Sequence, residues 1–385
     1  MQHRHQIMLG LALSIILVGA CVCPPGASAQ DRPAVLWPTR AWTTSTAETQ
    51  GMDSAALADL VASGTGYSLD SLLIARHGTI VLDAYYTLYQ TARDPHPMYS
   101  ATKAVIGTLT AIALKDGLLD STSHRVLDFF HDRSIANVDD RKAAITVQDL
   151  LDMTSGIDWH EPLPGRSRSL FDMTRSPDWI KFILDRPMAN APGEVFNYDS
   201  GNPHLLSAIL GQLSGMSAED YAKAKLFGPL GIMTSPGDWE QDAQGISLGG
   251  LGLSLRPRDM AKIGYLYLRN GVWEGKAILP QAWIERISHA TLSMNLARQP
   301  ALRYANFFWV LPDKHVYMAN GHHSQRIMVF PDMDIVAVTT GRDDGHLAQM
   351  VDNISAAVRS ETALPPNPAA EDQLAISIRT AQAGH

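Results

Sequence analysis

The chain has 385 residues, 45% apolar and 18% charged, enough for a large buried core and about two domains. Its 31 Lys and Arg against 39 Asp and Glu leave a net charge of −8, which argues against a nucleic-acid partner, since that would want a basic face. Both cysteines, Cys21 and Cys23, lie near the N-terminus, so the chain beyond them has neither a disulfide nor a Cys-ligated metal.

Ile7 to Val22 is an apolar stretch behind Arg4. It falls short of the about 20 residues a membrane span needs. Ala27-Ser28-Ala29 then offers a small-x-small cleavage site. Residues 1–29 read as a secretory signal peptide with Gln30 as the new N-terminus, and the protein is expected to be exported, periplasmic or extracellular. Val18-Gly19-Ala20-Cys21 also resembles a lipoprotein box, so lipid on Cys21 is the one membrane attachment the sequence suggests.

Residues 30–50, rich in Pro, Thr and Trp, read as an extended leader. Met52 to Ser63 has amphipathic helical spacing and stops at Gly64. Leu72 to Arg76 and Thr79 to Tyr86 are β-like runs around His77-Gly78, a hairpin signal. Ser100 then opens a proline-free run, and Ala101 to Leu114 reads as a buried helix. Thr146 to Met153, with Thr146 as N-cap, Pro177 to Leu184, and Ser200 to Ser214, stopped by Gly215, read as further helices. Gly249 to Leu255 looks strand-like, and Arg256 to Asn270 is helical. Phe307 to Leu311, Val316 to Ala319, Gln325 to Phe330 and Ile335 to Thr340 read as strands, with Pro312-Asp313 and Pro331-Asp332 marking two turns. His346 to Arg359 is a closing helix, and residues 361–385 are expected to be a flexible tail.

This order predicts an α+β fold: an antiparallel sheet flanked by helices, with a mostly helical second domain inserted. The sheet domain takes residues 51–119 and 245–360, and the helical domain residues 120–244.

Ser100-Ala101-Thr102-Lys103 puts a hydroxyl and an amine on one helix face. A serine needs a base to become a nucleophile, and a desolvated lysine can serve. The helix N-terminus adds a field that favours an oxyanion there. Among nine lysines one such match is expected by chance, so the spacing alone also fits a serine that merely caps the helix. About a hundred residues on, Phe196-Asn197-Tyr198-Asp199-Ser200 leads into a helix and presents Tyr198, which beside an ammonium ionises more easily and can act as a base. A tyrosine buried in a turn is the alternative.

Gly321-His322-His323 sits between two strand patterns, where an edge strand can offer a backbone N–H. The paired histidines invite a metal, but no Asp, Glu or Cys cluster stands at ligand spacing, and none is expected. Gly245-Ile246-Ser247-Leu248-Gly249 matches a nucleophile elbow, with Asp343 and His346 as partners in chain order. It lacks the apolar strand before and the helix after that such an elbow needs.

Ser-x-x-Lys, the tyrosine motif and the late Gly-bearing strand, in that order, resemble the penicillin-recognising serine hydrolases. Within them the chain is most similar to the class C β-lactamase branch, which includes esterases, D,D-peptidases and 6-aminohexanoate-dimer hydrolases. Leu150 to Gly156, Ala191-Pro192-Gly193, Leu226 to Ile232 and Gly249 to Leu253 extend the likeness. The resemblance implies Ser100 as nucleophile, Lys103 as its hydrogen-bonded partner and Tyr198 as base and later acid. It implies an oxyanion hole from the backbone N–H of Ser100 and of His322, after Gly321. It further implies Ser200, Trp159 and Gly321 as substrate contacts, with a packing indole as the alternative for Trp159, and no cofactor. The substrate is then a small ester, amide or peptide.

The chain departs from β-lactamases at Ala319, where they carry a lysine, and at Ser200, where they carry asparagine. Losing that cation costs an anionic β-lactam about 1.5–3 kcal/mol of charge-assisted binding, unless Arg326 or an arginine of 166–168 replaces it. An ester or amide hydrolase is therefore expected over a true β-lactamase or D,D-peptidase. A non-catalytic binding protein that keeps the fold is the reading from a different class.

Overall fold

The computed structural model describes residues 35–87, 91–161, 168–296, 299 and 301–383. The expected signal peptide, Cys21 and the start of the expected leader lie outside the described residues. The rest of the expected leader is not free chain: Thr43–Thr44 (β1) joins the sheet as a short edge strand.

Asp53 caps the first long helix, Ser54–Gly66 (α1), accepting from the backbone N–H of Ala55 and Ala56. Leu69–Arg76 (β2) and Thr79–Tyr85 (β3) form the expected hairpin. His77 and Gly78 both take positive φ, 52° and 78°, the conformation whose twist suits a two-residue turn between strands. Thr102–Lys115 (α2) follows, buried on nearly every side, which explains its small and apolar composition.

Short helices then alternate with loops, including Val147–Leu151, whose Thr146 and Asp149 form a reciprocal capping box. Gly201–Ser214 (α3) ends as expected on a left-handed Gly215. Next come Pro257–Leu268 (α4) and six strands: Leu292–Ser293 (β4), Arg303–Ala305 (β5), Phe308–Leu311 (β6), Val316–Gly321 (β7), Gln325–Phe330 (β8) and Ile335–Gly341 (β9). Leu347–Ala356 (α5) and Pro368–Ala383 (α6) complete the chain.

The main sheet runs β1-β3-β2-β9-β8-β7-β6-β5-β4. Every neighbouring pair is antiparallel except β1 with β3. The N-terminal hairpin thus meets the C-terminal strands at β2 and β9 in the middle of the sheet. Helix α4 lies against β2, β8 and β9. Gly264 permits that close approach, since a Cβ there would come 2.6 Å from Val336 Cγ1. Helix α2 is wedged between α3 and β7, and so brings the helical segment to the sheet.

Two expectations need correcting. The flexible tail is largely helix α6, packed on α1 and β3 with Ala370, Leu374 and Ala381 buried. Its Ala-rich composition suggested low complexity, but alanine is the best helix former, and the apolar positions recur at helical spacing. Gly249 to Leu255 is mostly loop, with Ser254–Leu255 paired against His96–Pro97 and Leu253 bridged to Trp239.

Candidate active site

Ser100 lies in a single 3-10 turn, Tyr99–Ala101, at the entry to α2. Tyr99 is held at φ 45°, a left-handed conformation that costs a bulky residue energy. One helical turn on, Lys103 is 1% exposed. Its Nζ donates to Ser100 Oγ at 2.8 Å and to the Gly250 carbonyl at 2.7 Å. Burial lowers the Lys103 pKa to about 8, against the opposing pull of Glu161 and Asp199. Gly250 has to be glycine, because a Cβ there would come 2.7 Å from the Ser200 carbonyl oxygen.

Tyr198 comes from the turn before α3, which docks on the segment after Val147–Leu151. Asn197 N–H donates to Met153 O at 2.8 Å, and its side chain donates to Trp159 O at 3.0 Å. The Tyr198 ring faces Lys103 Nζ at 4.9 Å, and its hydroxyl engages Ser100. Ser100, Lys103 and Tyr198 therefore share one site. The expected ease of ionising Tyr198 is overturned. Burial raises its pKa, the Glu161 charge raises it further, and the Ser100 hydrogen bond only partly offsets them. Burial thus disfavours the Tyr198 phenolate and favours the neutral Lys103 amine.

At the other wall, Gly321 ends β7 against the Ser100 turn. A Cβ on Gly321 would come 2.2 Å from Met98 O and 2.9 Å from Ala101 N. Strand and helix entry can approach only because that side chain is missing, and the backbone of His322 follows directly. The His322 side chain turns to the rim, with Nδ1 2.7 Å from Asp344 Oδ2, and its ring stacks on His323 and meets Tyr99 edge-on. Among the described residues no three His, Cys, Asp or Glu side chains gather as a metal site.

Ser200 and Trp159 differ from expectation. Ser200 is buried, and its hydroxyl donates to Glu161 Oε1 at 2.7 Å instead of facing a substrate. Trp159 is buried too, and its indole N–H donates to Glu161 Oε2 at 2.7 Å. Both hydrogen-bond the same carboxylate. Arg326, considered as a replacement for the missing lysine, is sequestered. It donates to Asn320 Oδ1 and to the carbonyls of Asp344 and Gly345, and burial lowers its pKa to about 10. Arg166 lies outside the described residues, and Arg168 opens the exposed end of a short helix.

Ser247 does not assemble a second triad. It is fully buried, its hydroxyl accepts from the Glu219 N–H, and His346 stacks on Tyr67.

Sequence reasoning missed Glu161 and the acidic role of Asp199. Asp199 Oδ1 accepts from the N–H of Gly201 at 2.7 Å and of Asn202 at 3.3 Å. Burial, and then the neighbouring Glu161, push its pKa up to about 8. A buried carboxyl behind a catalytic-type tyrosine was visible as Tyr198-Asp199, but its burial was not.

The chain matches the Beta-lactamase family over residues 57–360. The chain belongs to the Beta-lactamase family. At the family level it is a serine hydrolase. It is 23% identical over 293 residues to the 6-aminohexanoate-dimer hydrolase of Paenarthrobacter ureafaciens, covering 70% of this chain and 71% of that protein. Its fold matches EstCE1, a hydrolase with promiscuous acyltransferase activity, with a TM-score of 0.64 and 17% identity over 80% of this chain and 99% of that one. It also matches a D-stereospecific amidohydrolase from Streptomyces sp., with a TM-score of 0.57 and 16% identity over 79% and 98% of the two chains.

Proposed function

We propose that this Beta-lactamase-family protein hydrolyses a small carboxylic ester or linear amide through an acyl-enzyme on Ser100. The observation that carries the reading is the 2.8 Å hydrogen bond between Ser100 Oγ and a buried Lys103 whose pKa is lowered to about 8. In its neutral form Lys103 takes the Ser100 proton as Oγ attacks the substrate carbonyl. The backbone N–H groups of Ser100 and His322 stabilise the oxyanion. The Tyr198 phenol gives its proton to the leaving group and regains one from the Lys103 ammonium. Water then adds to the acyl carbon as Lys103 takes its proton; the Oγ–acyl bond breaks, and Lys103 returns that proton to Ser100 Oγ as the acid departs.

Two observations favour neutral substrates over β-lactams. Ala319 is buried on β7 and offers no cation, and Arg326 is spent on carbonyls and Asn320. The relatives' names favour a linear amide bond, since they include a dimer hydrolase of 6-aminohexanoate and an amidohydrolase. A binding protein without turnover gains nothing from a buried lysine, because desolvating an ammonium is costly.

The test is a fluorophosphonate label mapped by peptide mass spectrometry. It is run beside a panel of p-nitrophenyl esters, linear amides and a chromogenic cephalosporin. The reading expects the adduct on Ser100, with esters or amides turned over faster than the cephalosporin. An adduct elsewhere, or none with full turnover, overturns it.

A further inference from the structure

Glu161 belongs to none of the motifs that order the site, yet its carboxylate meets three donors from two segments. Oε2 accepts from the Trp159 indole N–H at 2.7 Å and from the Ser200 backbone N–H at 3.0 Å, and Oε1 accepts from the Ser200 hydroxyl at 2.7 Å. Ser200 follows Tyr198 by two residues and begins the entry to α3. One buried side chain thus closes the Trp159 segment onto the turn that carries Tyr198. The Trp159 ring is covered in turn by the Arg186 guanidinium, 5.6 Å away.

Charge gives a second reason. A buried ammonium needs a compensating negative charge. Among the described residues Lys103 hydrogen-bonds only neutral oxygens, Ser100 Oγ and Gly250 O. The acids whose fields reach it are Glu161 and Asp199, and the remaining titratable neighbour is the Tyr198 phenol. The charge of Glu161 disfavours ionisation of the buried Asp199. Asp199 keeps its proton to about pH 8, and Arg186 only partly relieves it. Of the two, Glu161 exerts the larger pull on Lys103.

We propose that Glu161 is a positioning residue of the Ser100 site, tying the Trp159 segment to the Tyr198 turn and supplying the negative charge that balances the buried Lys103 ammonium. This rests on the Ser100 reading. Glu161 touches no reacting atom. It fixes where the phenol stands and how readily Lys103 gives up its proton.

The experiment is a pH profile of kcat/KM on a neutral p-nitrophenyl ester for the wild type and variants of the full chain, with Ser100→Ala beside them. Glu161→Gln keeps the shape and removes the charge. Without that charge Lys103 deprotonates more readily, so the rising limb moves to lower pH by about one unit. Asp199 ionises in that variant and restores part of the charge, so Glu161→Gln with Asp199→Asn moves the limb further. Glu161→Asp keeps the charge but shortens the reach. It leaves the limb in place and lowers the plateau about ten-fold, as misplaced catalytic groups do. A merely structural role lowers the plateau in every variant and moves no limb.

An unmoved limb in both Glu161→Gln and the double variant, with Ser100→Ala inactive, overturns this inference and leaves the Ser100 reading standing. Full activity in Ser100→Ala overturns both. If Glu161→Gln does not fold, Trp159→Phe carries the test, since it removes one donor to the carboxylate. About ten-fold lower kcat/KM at an unchanged melting temperature supports the tie, and wild-type kinetics refute it.

Discussion

Two serines in this chain carry the spacing of a nucleophile, and their surroundings could hardly differ more. Ser100 stands at a helix entry, with a buried amine 2.8 Å from its oxygen and a phenol beside it. Ser247 is sealed in a loop, accepts a backbone N–H from Glu219, and has neither His346 nor Asp343 as a hydrogen-bond partner among the described residues. A motif fixes residue types along the chain. Activation requires a base within hydrogen-bond reach and an environment that keeps that base partly unprotonated. Only one of the two loops has both.

The sharpest way to break this comparison is to remove each hydroxyl in turn. Ser100→Ala is expected to lower ester hydrolysis by about 10³-fold or more, while Ser247→Ala stays near wild type. Steady-state rates on p-nitrophenyl acetate check both, and a silent Ser247→Ala with an active Ser100→Ala inverts the argument.

Lys103 comes next. Lys103→Ala is expected to cost about 10²–10⁴-fold in kcat/KM, the usual worth of a general base. In the wild type kcat/KM should climb with pH through about 8, because only the neutral amine accepts the Ser100 proton and its pKa is lowered to about 8. A rate profile that is flat from pH 6 to 9 speaks against Lys103 as the base.

A smaller effect probes the wall opposite. Ala319→Lys restores a cation on β7 and is expected to tighten an anionic cephalosporin by about ten- to a hundred-fold, the equivalent of one charge-assisted hydrogen bond. Neutral esters should respond little. Competition of the cephalosporin against a neutral ester measures the difference, and equal effects on both would show that charge at β7 does not set the preference.

The smallest concerns stability. The folded pKa of Asp199 is raised from 3.8 to about 8, so the folded state holds a proton that the unfolded chain has already lost across that window. The contribution of Asp199 to stability therefore falls as pH rises from about 4 to about 8 and then levels off. Asp199→Asn can still accept from Gly201 but has no such penalty. Its melting temperature should match the wild type below pH 4 and rise progressively above it towards pH 8. Parallel melting curves across the range would remove Asp199 from the buried charge balance around Lys103.

Much of the fold is legible in the sequence where local signals are strong. The His77-Gly78 turn, the Thr146 cap, the Gly215 stop and strands β7 to β9 all follow from turn chemistry and alternation. The misses share a cause. Strands β4 and β5 are two and three residues long, too short for a period to register. Helix α6 hides in an Ala-rich segment whose apolar stripe has meaning only against α1 and β3. The β1 edge strand depends on a parallel partner that arrives later in the chain.

For the site, the sequence by itself determined which side chains can do chemistry: a Ser and a Lys one helical turn apart, a tyrosine motif, and a glycine that lets β7 approach. Residue type and spacing are written in the chain, and so is the absence of a cation at Ala319. Only the tertiary structure decided their states. Burial keeps Tyr198 protonated and frees Lys103. Glu161 claims Ser200 and Trp159, and Arg326 is turned into backbone carbonyls. Protonation and hydrogen-bond choice depend on desolvation and on which distant segments come to lie side by side. Neither is a property of a residue and its sequence neighbours.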